Sequence, residues 1–301
     1  MMKIVVEEDV SERIDSYLAQ RLSISRSKIQ KLIKNGRVSV NEKVVNTSYK
    51  VVFSDFVVVD AQLDFTTTIE AENLPLDIVY EDEYLMVVNK KSGMVTHPAP
   101  GHYTGTLVNA VLYHLHISST TNMRAQIVHR LDKDTSGLML VSKDERVLES
   151  LSNMIRDKEV KRCYLALVEG NDLPNSATID APIGRDKQNR EKMMITDLNS
   201  KNAITHIKVL KRFKNKSLIE CVLDTGRTHQ IRVHMAYIKH PVVNDPLYNN
   251  RNATTFGQML HSWSIDFIHP ITKEALHFEV NPPQEFLDYL EKLEEKSCII
   301  E

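Results

Sequence analysis

The sequence predicts an α+β protein in two parts: a small N-terminal module of two short helices and a hairpin, then a larger domain on a mixed, mostly antiparallel sheet. Three observations predict it. After residue 76 strand-like segments outnumber helix-like ones, and several follow each other with no helix between them, which disfavours a doubly wound parallel sheet. Residues 1–59 carry helical spacing first and strand alternation afterwards. A polar, acidic stretch, DAQLDFTTTIEAENLP, reads as a linker, so the expected boundaries are 1–59, 60–75 and 76–301.

In the first part, Ile14, Tyr17, Leu18 and Leu22 recur at helical spacing. In SRSKIQKLIKNG, Ser25 is placed to cap a second helix and Gly36 to end it in a left-handed turn. Ile29, Leu32 and Ile33 share one face of that helix, and Lys28, Lys31 and Lys34 share the other. VSVNEKVVNTSYKVVFSDFVVV then alternates like short strands with polar turns. Residues 11–50 hold nine Lys/Arg against three Asp/Glu, a balance of +6, in a chain whose net charge is −2. A solvated basic helix would explain this, but so would a polyanionic partner such as nucleic acid.

In the second part, LDIVY, LMVVNK, LMLVSK, YLALVEG, THIKVLKRF and SLIECVLDT read as strands. TLVNAVLYHL, ERVLESLSNMIRD, THQIRVHMAYIK and FLDYLEKLEEK read as helices. MMKIVVEEDV does not read as a secretory signal, and no window approaches the roughly 18 apolar residues of a membrane span. The expectation is a cytoplasmic protein. Three cysteines without a CxxC argue against a disulfide framework or a cysteine zinc site. His229 and His234 are five apart and do not share a helix face, and His114 and His116 fall in an expected helix at the wrong spacing, so no metal site is expected. No G-x-S-x-G elbow and no glycine-rich phosphate loop is present.

Two stretches concentrate chemistry. HRLDKDTSGLML (129–140) places His129, Arg130, Asp132 and Asp134 in a loop between Ile127-Val128 and the apolar run 138–141, both expected as strands. Gly137 would permit a sharp turn between them. Either aspartate could be a nucleophile or base, or a turn carboxylate bonded to local N–H groups. In DTGRTHQIRVHMAYIKHP (224–241), Thr228 is placed to cap a helix running to about Lys239 before Pro241. Arg227 stands at its entrance and Arg232 about one turn in. Two guanidiniums at a helix N-terminus favour a nearby carboxylate or phosphate, though Arg232 could equally be a surface arginine.

The first module resembles an S4 RNA-binding domain over residues 11–58, through Arg13, Asp15, Leu18, Ser25-Arg26-Ser27, Ile33, Gly36 and Val38-x-Val40-Asn41. The second part resembles the RluA/RluD family of pseudouridine synthases over residues 76–290. The ordered markers are NKKSGMVTHPAPGH, HRLDKDTSGLML, KEVKRCYLALVEG, APIGRD, TGRTHQIRVHMAYIKHPVVNDPLY and LHSWSIDFIHP. The resemblance implies isomerisation of uridine to pseudouridine in RNA, without cofactor or metal. It implies Asp132 as the catalytic aspartate, as nucleophile or as base in a glycal-type route. It implies Tyr164 stacked on the target base and helping to move the C5 proton, Arg232 paired with the aspartate, and Arg130 filling the gap left by the flipped uridine. His129, Arg227, Arg26, Lys28, Lys31, Lys34 and Arg37 are further expected RNA contacts.

Lys91, Arg162 and Asn249-Asn250 depart from the family pattern, which usually has proline, lysine and a glycine-rich turn there. None is expected to touch the catalytic residues. The implied partner is RNA, with 23S rRNA favoured over tRNA, and the implied state is a monomer with no membrane association. An RNA-binding ribosome-assembly factor with secondary catalysis is the alternative from another class. A glycoside hydrolase using Asp132 and Asp134 is disfavoured by their closeness in one tight loop.

Overall fold

A computed structural model describes residues 2–7, 10–22, 24, 26–60, 68–99, 102–120, 126–189, 191–249 and 256–298. The expected cap Ser25, Pro100-Gly101, Asn250 and residues 61–67 of the expected linker lie outside the described residues. Contacts divide the chain into two units, 1–67 and 68–301. The second half of the expected linker therefore belongs to the larger unit, where Ile69 is buried in the core.

The first unit runs β1 (Met2–Val5), α1 (Ile14–Arg21), α2 (Arg26–Lys34), β2 (Val38–Val40), β3 (Lys43–Val44) and β4 (Phe56–Val59). Its antiparallel sheet has the order β1-β4-β2-β3. Ile14, Leu18, Ile29 and Leu32 are fully buried against Val38, Val57 and Val59, as the helical and strand periodicities require. Gly36 at φ +69° ends α2 in the left-handed turn. The buried Asp15 ties the helices together by accepting from both Arg13 and Arg26.

The second unit opens with β5 (Ile69–Glu70), β6 (Ile78–Glu81), β7 (Leu85–Lys90), α3 (Leu107–His114), β8 (Ser119–Thr120) and β9 (Ser136–Ser142). Then come α4 (Glu145–Arg156), β10 (Lys161–Glu169), β11 (Ser176–Asp180), β12 (Ile183–Arg185), β13 (Met193–Ile195), β14 (Ile204–Arg212) and β15 (Lys216–Leu223). It closes with α5 (Gln230–Tyr237), β16 (Leu260–Ile268), β17 (Ala275–Glu279) and α6 (Gln284–Cys298). The central sheet has the order β11-β14-β15-β10-β16-β9-β7-β6, with β17 on β16. Every described pairing in it is antiparallel except β9 with β16. Both faces of its middle are covered. Met139 and Val141 pack into one core, Leu138 and Leu140 into another with Val147 and Leu151 of α4. That is why LMLV reads as one apolar run and does not alternate.

Four local expectations are corrected. Ile127-Val128 is not a strand; only Ile127 bridges, to Val141. Gly137 lies inside β9 at φ +110°, and a Cβ there would sit 2.1 Å from the Ser262 carbonyl oxygen. Its smallness serves the close parallel approach of β16, not a turn. The helix after Arg227 starts at Gln230, behind a left-handed His229 at φ 57°, so Thr228 is not its cap. His116 lies past the end of α3, at φ 57°. No helix among the described residues is long and apolar enough to cross a membrane.

Candidate active site

The HRLDKD loop is held by its carbonyls. Thr96 donates to the Leu131 carbonyl at 2.8 Å, Thr135 N–H to that of Asp132 at 3.2 Å, and Ser92 to that of Asp134 at 3.0 Å. The Lys133 carbonyl accepts from Gly93 N–H at 2.9 Å and from Lys90 Nζ at 3.0 Å. Lys90 is buried and also donates to the carbonyls of Lys91 and Met94. Residues 90–96 thus form a cradle for the loop. In sequence NKKSGMVT is only a marker of resemblance; in the fold its polar residues fix the backbone that presents Asp132.

Asp132 meets Arg232 across the cleft, with Nη1 donating to Oδ2 at 2.8 Å. Arg232 is itself buried, and its Nε and Nη2 donate to Asp245 at 2.6 and 2.9 Å. Asp245 further accepts the N–H groups of Leu247 and Tyr248. The Tyr248 ring lies 5.2 Å from the guanidinium. Burial alone would raise the Asp132 pKa; the positive charges around it and the Arg232 hydrogen bond outweigh this and hold it below the usual carboxylate value. His229 Nε2 lies 3.8 Å from Asp132, while its Nδ1 meets the Tyr248 hydroxyl at 2.9 Å. That hydroxyl accepts the Met193 N–H, so its own proton points to Nδ1 and the imidazole proton belongs on Nε2, toward Asp132. Burial lowers the His229 pKa, so the ring is neutral at pH 7. When protonated, the ring adds its charge to that of Arg232 in holding the Asp132 pKa down.

Tyr164 is almost fully buried on β10 and shares the cleft wall with Asp132 and Arg232. The β10–β16 register shifts beside it: Cys163 faces Ser264 and Tyr164 faces Ser262, leaving Trp263 as an extra residue. Such a bulge re-aims neighbouring side chains. Burial raises the Tyr164 pKa, so its hydroxyl keeps its proton. Arg130 is exposed at the mouth of the same cleft. Arg227 also lines it, with Nε donating to the Asn202 carbonyl at 2.9 Å. His129 accepts the Leu140 N–H on Nε2 at 3.1 Å, and its pKa is pushed down to about 3 by burial, then by Arg162 and His97. It is therefore a neutral ring, no counter-charge for a phosphate.

In the first unit, Lys28, Lys31 and Lys34 are exposed on the outer face of α2, and Arg37 is half-buried at the start of the chain's return into β2. Arg26 is committed to Asp15 through two hydrogen bonds, which spends much of its donor set inside the protein. Among the described residues, no three His, Cys, Asp or Glu side chains gather to hold a metal ion.

The sequence pattern of the family described as RNA pseudouridylate synthase matches residues 84–237, the span that carries Asp132, Tyr164 and Arg232. The chain belongs to this family. The synthase is an isomerase acting on RNA, and an S4 domain pattern matches residues 12–57. It is 47% identical to an uncharacterized RNA pseudouridine synthase of Bacillus subtilis (strain 168), over 95% of this chain and 96% of that one. It is 39% identical to the ribosomal large subunit pseudouridine synthase D of Zymomonas mobilis, over 93% of each chain. Among solved structures it resembles human RNA pseudouridylate synthase domain containing 1, with a TM-score of 0.58 and 27% identity, over 71% of this chain and 86% of that one.

Arg162, one of the departures from the family pattern, lines a cleft together with Asp132 and Tyr164. The reason is strand periodicity: residues 162 and 164 of β10 face the same side. The sequence alone assigns no role to Asp245, Tyr248, Lys90 or Thr96. Its one signal for them is an arginine expected beside one aspartate, with a second aspartate in NDPLY of the same marker.

Proposed function

We propose that the synthase isomerises uridine in large-subunit ribosomal RNA, with Asp132 acting on a uridine extruded from its stack. The observation that carries the site reading is the 2.8 Å contact of Arg232 with Asp132, in a cleft walled by Tyr164. The target reading is supported by the 39% identical relative that is named a large-subunit enzyme.

A stacked base is out of reach of a carboxylate, and extrusion costs a few kcal/mol. Arg130 at the cleft mouth is placed to fill the vacated position. Tyr164 offers a ring for the base, a contact worth about 1–3 kcal/mol. Asp132 then either attacks C1′ or removes the C2′ proton; both routes need the ionised carboxylate that Arg232 maintains. The N1–C1′ bond breaks, the base turns, and C5 bonds to C1′. The C5 proton leaves and N1 gains one, so the change is an isomerisation. Tyr164, protonated at neutral pH, lies beside this proton transfer.

RNA tritiated at uridine C5 tests the chemistry. The wild-type protein is expected to release tritium and Asp132→Asn to release none; a fully active Asp132→Asn would overturn the role. Mapping pseudouridine in cells lacking the protein tests the target. The expected loss is in large-subunit rRNA, and a loss confined to tRNA would overturn that part.

A further inference from the structure

The wall of the cleft beside Asp132 and Tyr164 carries a charge that the protein itself does not answer. Arg162 is only 4% exposed, and its Nε is a buried donor with no acceptor. No carboxylate lies within ion-pairing distance of it among the described residues. A guanidinium withdrawn from water and left unpaired is costly, and natural proteins pair such groups or neutralise them with a ligand. Arginine cannot take the other escape, loss of its proton.

A second orphan lines the same cleft. His129 uses Nε2 to accept the Leu140 N–H, so its proton sits on Nδ1, and that N–H is likewise buried without an acceptor. Arg162 and His129 are neighbours: the charge of Arg162 is the second cause, after burial, of the lowered His129 pKa. The cleft, of about 620 Å³, also bears Arg130 and Arg227 on its rim. The two carboxylates of this cleft are already engaged, Asp132 by Arg232 and Asp224 by Lys158 and His206, so the group that would answer the two orphan donors is an anion with several oxygens.

We propose that Arg162, assisted by the Nδ1–H of His129, is a phosphodiester-binding site that holds a backbone phosphate of the RNA next to the extruded nucleotide. This rests on the reading that substrate RNA enters beside Asp132. Arginine suits the task because its planar fork can offer two parallel donors to one phosphate, which the lysine usual at this position cannot. Gly226 completes the site: a Cβ there would lie 3.1 Å from the Arg162 guanidinium, so a side chain would crowd it.

Phosphate-ethylation interference tests this whichever uridine is the target. Large-subunit rRNA transcript is sparsely ethylated on its phosphates, and the RNA retained by the full chain carrying Asp132→Asn is mapped. Binding is also measured from 50 to 200 mM KCl. With Arg162 present, ethylation of a phosphate flanking one uridine is expected to block binding. With Arg162→Met that interference disappears. Affinity falls roughly tenfold to a hundredfold, and the slope of log K against log salt drops by about 0.7–0.9, the value of one phosphate. Arg162→Lys restores the slope, because it restores the charge, but only part of the affinity.

An unchanged interference pattern and slope in Arg162→Met would overturn the proposal and leave Arg162 a structural residue. Should Arg162→Met lose its cooperative unfolding transition, Arg162→Gln carries the same comparison. Tritium release by the wild-type protein is read separately, so a protein that binds through this phosphate yet makes no pseudouridine would refute the function and not the site.

Discussion

Asp245 occupies one edge of the Arg232 guanidinium, accepting from Nε at 2.6 Å and Nη2 at 2.9 Å, and so leaves Nη1 for Asp132 at 2.8 Å. Two carboxylates share one cation, and the inner one sets where that cation can stand. Asp245→Asn is expected to let Arg232 drift. Breaking a buried pair costs about 3–5 kcal/mol, read by urea unfolding. Single-turnover kcat should fall at least tenfold with little change in KM. A stable protein with normal kcat would show that Asp245 does not position Arg232.

The charge around Asp132 also fixes a pH dependence. Its folded pKa lies below the ordinary 3.8, so the carboxylate is ionised from pH 5 to 8. The stability from its ion pair is full above the unfolded value and lost as pH falls through the folded one. Asp132 should therefore give no acid limb in kcat/KM above pH 5. His229, with a pKa below 6.5, is the neighbour that titrates closer to that range. An acid limb above pH 5 that survives His229→Gln would contradict the ionised state of Asp132.

Tyr164→Phe keeps the ring and removes the hydroxyl. Binding of RNA should change less than about threefold while single-turnover kcat falls by roughly 10²-fold or more, the usual worth of a positioned acid or base. A variant with wild-type kcat would reduce Tyr164 to a stacking platform.

The exposed lysines of α2 predict a salt effect distinct from that of Arg162. Replacing Lys28, Lys31 and Lys34 with Gln should lower the salt slope of RNA binding by up to about 3, at roughly 0.9 per duplex phosphate. Thermal stability should be unaffected, because all three side chains are exposed. An unchanged slope would mean that this face does not meet the backbone.

Gly137→Ala tests the sheet beneath the site. Its φ of +110° and the 2.1 Å approach to the Ser262 carbonyl oxygen leave no room for a methyl group. A loss of at least about 3 kcal/mol is expected from strain and overpacking together. A thermal midpoint within a few degrees of wild type would refute this reading of the contact.

Periodicity made most of the elements legible. The six strand and four helix segments read from the second part all form, because each carries the apolar period or run of its element. What the sequence hid was long-range. Asp245 is 13 residues from Arg232 but reads locally as a turn residue before Pro246. Gly137 reads as a turn because a glycine after Thr135-Ser136 usually is one. Only the approach of β16, a strand far along the chain that pairs Ser262 with Gly137, explains it. Thr228 has the chemistry of a helix cap, yet the left-handed His229 intervenes and turns its own ring toward Asp132 and Tyr248. Arg162 reads as a mere departure from the family pattern, and only the fold shows that it shares one cleft with both Tyr164, two residues on, and the distant Asp132.

The position of β16 has a consequence for how the protein is made. In the sheet it lies between β10, which bears Tyr164, and β9, which follows the Asp132 loop. Residues 260–268 must therefore arrive before those two halves can be joined, although both are translated much earlier. Synthesis runs from the N-terminus, and the first unit can collapse on the ribosome through its local contacts. The centre cannot close until β16 has emerged, and until then two sheet edges wait unpaired. Nascent chains stopped before residue 260 should thus accumulate as RNA-binding but catalytically silent intermediates, exposed to aggregation at those edges.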